Sequence, residues 1–218
     1  MQIQQHIINN IPVFDIKDSL NKVKAFFNEN TYSHIAITEA DKFAGMFSEN
    51  DIALLDTNLT IEDCRYDLQM FFAKGNTTWL DVLETFARND ANILPVLADE
   101  SSVLGYYDLT DVVTVFIDTP FFTDLGNILI VATGIKDYSF SEIAQIVESN
   151  NAKFLGGFIT AIQNDVVQIT IKISTTNFNE VVQTFRRYNY TILFGNSDDQ
   201  FLEDLKQRSN YLDKYLNI

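Results

Sequence analysis

One stretch of this sequence places a hydroxyl and a carboxylate at a spacing that suits ligand binding. In GMFSENDI, Ser48 and Asp51 follow Gly45 and open a predicted helix. A glycine lets the backbone come close to a ligand, and the first turn of a helix presents unpaired amides at its positive end. A carboxylate in that turn can accept hydrogen bonds from a ribose diol, and a hydroxyl three residues earlier can reach a phosphate.

A second stretch repeats this arrangement. In GYYDLTDV, Asp108 and Asp111 follow Gly105. Asp108 stands where the first stretch has a serine, and a carboxylate beside a phosphate is repulsive unless it is protonated or bridged by a metal. The first stretch is therefore the better candidate for a ligand that carries phosphate.

Both stretches also read as helix caps, which require no ligand. In Ser48-Glu49-Asn50-Asp51 and Asp108-Leu109-Thr110-Asp111, the first side chain can accept a hydrogen bond from an amide of the first turn. The acid in that turn favours the positive end of the helix. Ligand binding and capping use the same atoms, so the residues alone leave both interpretations open.

Four further residues are candidates for the same site. His34 precedes the predicted strand 35–37 and could donate to a phosphate, because a nearby anion shifts its charge easily. The alternative is a half-buried histidine that is hydrogen-bonded at the edge of a strand. Ile11, Pro12 and Val13 would form an apolar wall for a purine ring, or would simply pack at an edge.

The N-terminal half is one pattern written twice. The two glycines lie 60 residues apart, as do the last aspartates of the two stretches, whereas the strand cores 33–37 and 92–96 lie 59 apart. Each copy reads as a helix, a strand, a glycine-led strand and a helix, with Asp18 and Thr77 or Thr78 as caps of the first helices. Three apolar pairs at offset 60 are assigned to the buried faces of those helices: Leu20 with Leu80, Val23 with Leu83, and Phe26 with Phe86.

This order of elements, with an L-P-V strand and G-x-x-S/T-x-x-D, resembles the CBS (cystathionine-β-synthase-like) domain family. The resemblance covers residues 1–118, as copies at about 1–58 and 59–118. It implies a tandem pair, or Bateman module, which is commonly dimeric and binds adenosine-containing ligands such as AMP or ATP in clefts between the copies. In family terms Asp51 and Asp111 accept the ribose and Ser48 contacts the phosphate. At the second stretch we expect an uncharged adenosine group or no ligand.

The C-terminal half changes pattern after a linker at 119–127, which is rich in turn residues. Over 128–196 the pattern predicts βαββαβ, with a hairpin at Asn164-Asp165 and a strictly alternating strand after it. Boxes that begin at Ser139 and Asn177 are predicted to cap the two helices. Residues 197–218 place apolar side chains at helical spacing and predict an amphipathic terminal helix, which packs on its own domain or contacts a second subunit.

The βαββαβ unit behind a CBS pair resembles an ACT domain, a ferredoxin-like regulatory unit. The whole order is similar to bacterial CBS proteins related to the acetoin-utilisation accessory protein. DYSFSEIAQIVESNNAKFL and FRRYNYTILF look like phrases of the Bacteroidetes-type members of that group. The fold class that this predicts is α+β: a tandem CBS pair, a ferredoxin-like ACT-type domain and a C-terminal helix.

Charge and composition narrow the function. The net charge is −15, and residues 1–120 contribute −12 of it, so neither nucleic acid nor a membrane surface is an expected partner. One cysteine, Cys64, and an N-terminus unlike a signal peptide predict a cytoplasmic protein. His6 and His34 lie far apart, and the sequence has no nucleophile elbow or phosphate-cradling loop, so we expect no enzyme activity, no metal and no obligatory cofactor.

The functional expectation is a non-catalytic homodimeric sensor that binds an adenosine ligand between the CBS copies and transmits binding through dimer packing. The alternative is a dimerising scaffold that has no ligand and binds a protein partner. The sequence does not identify the regulated protein.

Overall fold

A computed structural model describes residues 3–99 and 101–195 of the chain. The chain divides into two units, Met1–Asp118 and Thr119–Ile218, and each is described by itself. The helix predicted at 197–218 lies outside the described residues. Within the described ranges, no helix has both the length and the apolar character that a membrane crossing requires.

The first unit contains the repeated module in two copies. In each copy a short strand pairs in parallel with the second strand, which pairs antiparallel with the third, and this gives two separate three-stranded sheets. The elements of the first copy are β1 (Phe14–Asp15), α1 (Leu20–Glu29), β2 (His34–Glu39), β3 (Lys42–Ser48) and α2 (Glu49–Ala53). Those of the second are β4 (Ala73–Lys74), α3 (Trp79–Arg88), β5 (Ile93–Leu97), β6 (Val103–Asp108) and α4 (Leu109–Ile117). This is the predicted order of helices and strands.

The helices of the two copies correspond at offset 59, one residue less than predicted. α1 begins at Leu20 and α3 at Trp79. The prediction that Leu80 lies on the buried face is wrong, because Leu80 is 59% exposed while Val82, the counterpart of Val23, is buried. The extra residue that restores offset 60 at Gly105 lies in the turn between β5 and β6.

The helix caps also differ from prediction in one copy. Ser19, not Asp18, caps α1, since its side chain accepts from the amide of Lys22. The Asp18 carboxylate instead accepts from the amide of Asp15 at 3.0 Å. Thr78 caps α3, as one of the two predicted alternatives.

The two copies meet in a reciprocal contact that shows their approximate two-fold relation. The Ser33 amide donates to Asn92 Oδ1 at 2.8 Å, and the Asn92 amide donates to Ser33 Oγ at 2.9 Å. The carbonyls of these two residues accept from equivalent amides, those of Glu49 and Leu109, at 2.9 Å each. Buried side chains from both copies form one hydrophobic core.

The second unit is a four-stranded antiparallel sheet with the order β10-β7-β9-β8. Its elements are α5 (Pro120–Thr123), β7 (Asn127–Gly134), α6 (Phe140–Ser149), β8 (Lys153–Gln163), β9 (Val166–Ser174), α7 (Phe178–Arg187) and β10 (Thr191–Phe194). From β7 onward this is the predicted βαββαβ order. Alternate residues of β9, from Val167 to Ile173, are buried with apolar residues of α6 and α7, as the alternation predicted.

The hairpin turn of this unit and one of its two helix caps form as predicted, whereas the other cap does not form and the linker segment contains a short helix. Asn164 and Asp165 both have positive φ, as the predicted two-residue hairpin requires. Ser139 caps α6, but the Asn177 side chain makes no cap at α7, so that predicted box does not form. Within the segment expected to be a linker, α5 packs against β8, and a Cβ added at Gly156 would lie 2.8 Å from the Phe121 ring.

Candidate functional site

Each copy is crossed by the segment that leads into the other. The backbone of Gln69, ahead of β4, exchanges hydrogen bonds of 2.7 and 2.8 Å with Met46 of β3. Ile8, ahead of β1, exchanges hydrogen bonds of 2.8 and 2.9 Å with Tyr106 of β6. The lead-in segment of the second copy therefore reaches Ser48 and the start of α2, and the lead-in segment of the first copy reaches the second sheet.

The two glycines make room for these segments. A Cβ added at Gly45 would lie 2.9 Å from Leu68 Cβ, and one added at Gly105 would lie 2.5 Å from the carbonyl oxygen of Ile8. Their φ angles of +150° and +154° are ones that other residues rarely adopt. The close approach that the sequence attributes to a ligand is thus made, in this structure, by the chain itself.

A chain of polar groups joins the two copies beside α2. Ser33 Oγ accepts from the Asn92 amide and lies 2.9 Å from His34 Nδ1, so its hydroxyl proton is free to donate to that nitrogen. His34 is hydrogen-bonded to the Gln69 side chain, and Gln69 Nε2 donates to Asp51 Oδ2 at 3.2 Å. We call Ser48, Asp51, His34 and Gln69 site one.

His34 is the buried centre of site one. Its side chain is 4% exposed, and the edge of its ring meets the Phe71 ring at a centroid distance of 5.1 Å. Burial lowers the pKa of His34, while the hydrogen bond with Gln69 and the charges of Asp51 and Asp90 raise it by less. The imidazole is therefore neutral near pH 7.

Ser48 makes the cap that the sequence also allowed. It is buried, and its hydroxyl accepts from the amide of Asn50 at 3.2 Å. Asp51 is partly exposed in the first turn of α2, where its carboxylate holds Gln69. Asp51 and Gln69 are the partly exposed members of site one, and Asp51 can exchange its present donor, Gln69, for a diol.

The second stretch, Asp108 with Asp111, is built differently, and we call it site two. Asp108 Oδ1 accepts from the Thr110 amide at 2.7 Å, and Asp111 is exposed. At offset 59 the counterpart of His34 is Ile93, a buried apolar residue. Site two therefore has two carboxylates but no imidazole at the matching position.

The predicted apolar wall lies with the second copy. The Pro12 carbonyl accepts from Tyr106 Oη at 2.8 Å, and Ile11 is buried in the core. Val13 is exposed and lines a cavity of about 600 Å³ whose other walls include Thr38 of the first copy and Val103 of the second. The structure does not bring Ile11, Pro12 or Val13 into a described contact with Ser48 or Asp51.

The sequence pattern does not reveal Gln69 of site one or Phe71, whose ring packs against His34. Both lie in the lead-in segment of the second copy, LQMFFA, which has no Pro-containing motif to mark it. The 60-residue repeat was the available signal, since it matches this segment to residues 8–13. It does not reveal that the two segments exchange copies.

The described part of the chain has no cluster of metal ligands and no activated cysteine. No group of three or more His, Cys, Asp or Glu side chains there could hold a metal ion. Cys64 is buried, and burial and the nearby Asp67 and Asp63 raise the pKa of its thiol, which disfavours the thiolate.

No family model and no curated protein matches the chain. Two solved structures to which it is similar contain CBS domains. A CBS domain pair/ACT domain protein from Thermotoga maritima is 16% identical, with 54% of this chain and 98% of that chain covered and a TM-score of 0.49. The CBS domains of a transcriptional regulator from Streptococcus pneumoniae are 14% identical, with 52% and 98% covered and a TM-score of 0.47.

Proposed function

We propose that this chain is a non-catalytic regulatory protein of the CBS-pair type, and that site one binds an adenosine-containing ligand. The observation that carries the proposal is the polar chain from Asn92 through Ser33, His34 and Gln69 to Asp51. It crosses from one copy to the other and ends on a carboxylate at the position that the family resemblance assigns to ribose binding.

Ligand binding at Asp51 would act on the contact between the copies. A ribose diol that donates to Asp51 replaces the Gln69 amide, and Gln69 belongs to the segment that pairs with Met46 of the other copy. Release of Gln69 also removes a hydrogen-bond partner of His34. The ligand can shift the packing of the copies by no more than its difference in affinity for the two arrangements.

The second unit, on this proposal, is an ACT-like assembly domain, and the protein is a cytoplasmic homodimer. The sheet order β10-β7-β9-β8 supports the ferredoxin-like assignment. Sedimentation of the purified chain tests the dimer. A monomer at micromolar concentration would contradict that part of the proposal.

Thermal unfolding with adenosine, AMP, ATP and S-adenosylmethionine tests the ligand. A ligand that binds only the folded state stabilises it by about 2.7 kcal/mol at a concentration a hundred times its dissociation constant. The isosteric variant Asp51→Asn should lose the stabilisation by ligand. A carboxylate can accept from both ribose hydroxyls through its two oxygens, whereas an amide has only one accepting oxygen. Asp111→Asn is the matched control and should keep the stabilisation.

A second candidate function has its own support. No buried side-chain nitrogen or oxygen of site one lacks a hydrogen-bond partner, and lead-in segments fill the space beside both glycines. That is what a ligand-free scaffold that binds a protein partner requires. If none of the four compounds shifts unfolding of the wild-type chain, the scaffold replaces the sensor.

A further inference from the structure

The charges around site one bear on which adenosine compounds it can take. Two carboxylates lie near the buried His34. Asp51 accepts from Gln69, which is hydrogen-bonded to the imidazole. Asp90 lines a cavity of about 540 Å³ with Ser33, whose hydroxyl lies 2.9 Å from His34 Nδ1. The imidazole between them is neutral near pH 7 because burial disfavours its charged form. A phosphate placed beside His34 would meet two carboxylates.

The start of α2 does not offset this charge. The Ser48 hydroxyl is buried and already accepts from the Asn50 amide. α2 is only five residues long, and Glu49 and Asp51 both occupy its first turn. Two carboxylates at the positive end of so short a helix cancel its attraction for a further anion.

Apart from Lys24, the cations of the first unit form ion pairs or lie at the far ends of the strands. Lys22, Arg65 and Arg88 form ion pairs with Asp18, Glu39 and Glu84. Lys24 donates to the Leu55 carbonyl and lines a cavity together with Glu49 of α2, so its charge is set against a carboxylate of that helix. Lys42 lies opposite Glu39 in the β2–β3 ladder. Glu39 is five residues along β2 from His34, which corresponds to about 16 Å at the rise of a strand. Lys74 lies opposite Leu97, the last residue of β5, and Lys17 follows the end of β1.

We infer that site one selects a purine nucleoside whose 5′ substituent is uncharged, and that it discriminates against nucleoside phosphates. This inference rests on the proposed function and adds the class of ligand. Asp51 accepts hydrogen bonds from the ribose diol, and the surrounding carboxylates repel an anion at the 5′ position. Selectivity is thus electrostatic, and it must weaken when salt is added or when a carboxylate is neutralised.

Calorimetric titration of the full chain with adenosine and with AMP, at low and at high salt, tests this selectivity. Adenosine should bind at least ~10-fold more tightly than AMP at low salt, since like charges in a partly buried site repel by more than 1 kcal/mol. The difference should shrink at high salt.

Asp90→Asn is the matched variant. Asp90 has a φ of +48°, a conformation that asparagine also tolerates, and the change removes one charge without altering the shape of the side chain. It should tighten AMP binding several-fold and leave adenosine binding unchanged.

The outcomes separate this inference from the proposed function. AMP binding as tight as adenosine binding, lost in Asp51→Asn, would overturn the selectivity and leave the sensor standing. Failure of both compounds to bind would remove the proposed function and the inference with it. An unchanged AMP affinity in Asp90→Asn would overturn the electrostatic explanation.

Discussion

Two neighbouring tyrosines should respond in opposite directions to loss of one oxygen atom. Tyr106 Oη donates to the Pro12 carbonyl at 2.8 Å and accepts from the Ala36 amide at 3.3 Å. Tyr107 Oη is equally buried, in a side chain that is 1% exposed, but it has no hydrogen-bond partner among the described residues. Burial raises the pKa of both phenols.

The magnitudes follow from these contacts. Tyr106→Phe orphans the buried amide of Ala36 and should cost about 1–3 kcal/mol of unfolding free energy. Tyr107→Phe removes an unsatisfied hydroxyl and should stabilise the chain by about 1 kcal/mol. Its counterpart at offset 60 in the first copy is already a phenylalanine, Phe47, in the same buried position.

Urea unfolding of the wild-type chain and both variants measures the two effects on one scale. We expect the urea midpoint of Tyr106→Phe to lie below the wild-type midpoint and that of Tyr107→Phe to lie above it. If both variants lose stability equally, Tyr107 has a partner that the structure does not show, and the packing described for β6 is wrong.

Two further perturbations test other contacts of the first unit. Below pH 6.5, the ordinary pKa of histidine, the unfolded chain takes up a proton at residue 34 that the folded chain resists, because burial lowers the folded-state pKa of His34. Unfolding free energy should therefore fall as the pH is lowered from about 7.5 to about 5.5, and in His34→Gln it should fall less; equal slopes in urea titrations would contradict this. Gly105→Ala should destabilise the chain by about 1–3 kcal/mol because it strains the backbone and displaces Ile8. Wild-type stability in that variant would mean that the lead-in segment does not cross to β6.

The repeat made the architecture of the first unit predictable, but not its register. Gly45 and Gly105 are easily recognised as equivalent positions, and they lie 60 residues apart, so the helices of the two copies were aligned at offset 60. At offset 60, Leu80 aligns with the buried Leu20 and was therefore predicted to be buried. The helices in fact correspond at offset 59, where Trp79 aligns with Leu20. An apolar residue on either side of the true position satisfied the same pattern, and only packing distinguishes them.

Three of the four residues of site one, Ser48, Asp51 and His34, were predictable from the sequence, and Gln69 was not. Ser48 and Asp51 are adjacent to a glycine and open a helix, which is a local pattern. Gln69 reaches Asp51 because the segment ahead of β4 pairs with β3 of the other copy, and this exchange depends on tertiary packing between distant residues. At α7 the Asn177 side chain makes no cap hydrogen bond. The backbone amide of Asn177, which would donate to Glu180 in a capping box, donates instead to Thr175 Oγ at 3.0 Å.

A crystal structure of the chain with adenosine would show whether site one binds the ribose. We expect the ribose diol to donate to Asp51, with the Gln69 side chain turned away from that carboxylate. Adenosine bound elsewhere, while the hydrogen bond from Gln69 to Asp51 stays intact, would contradict it.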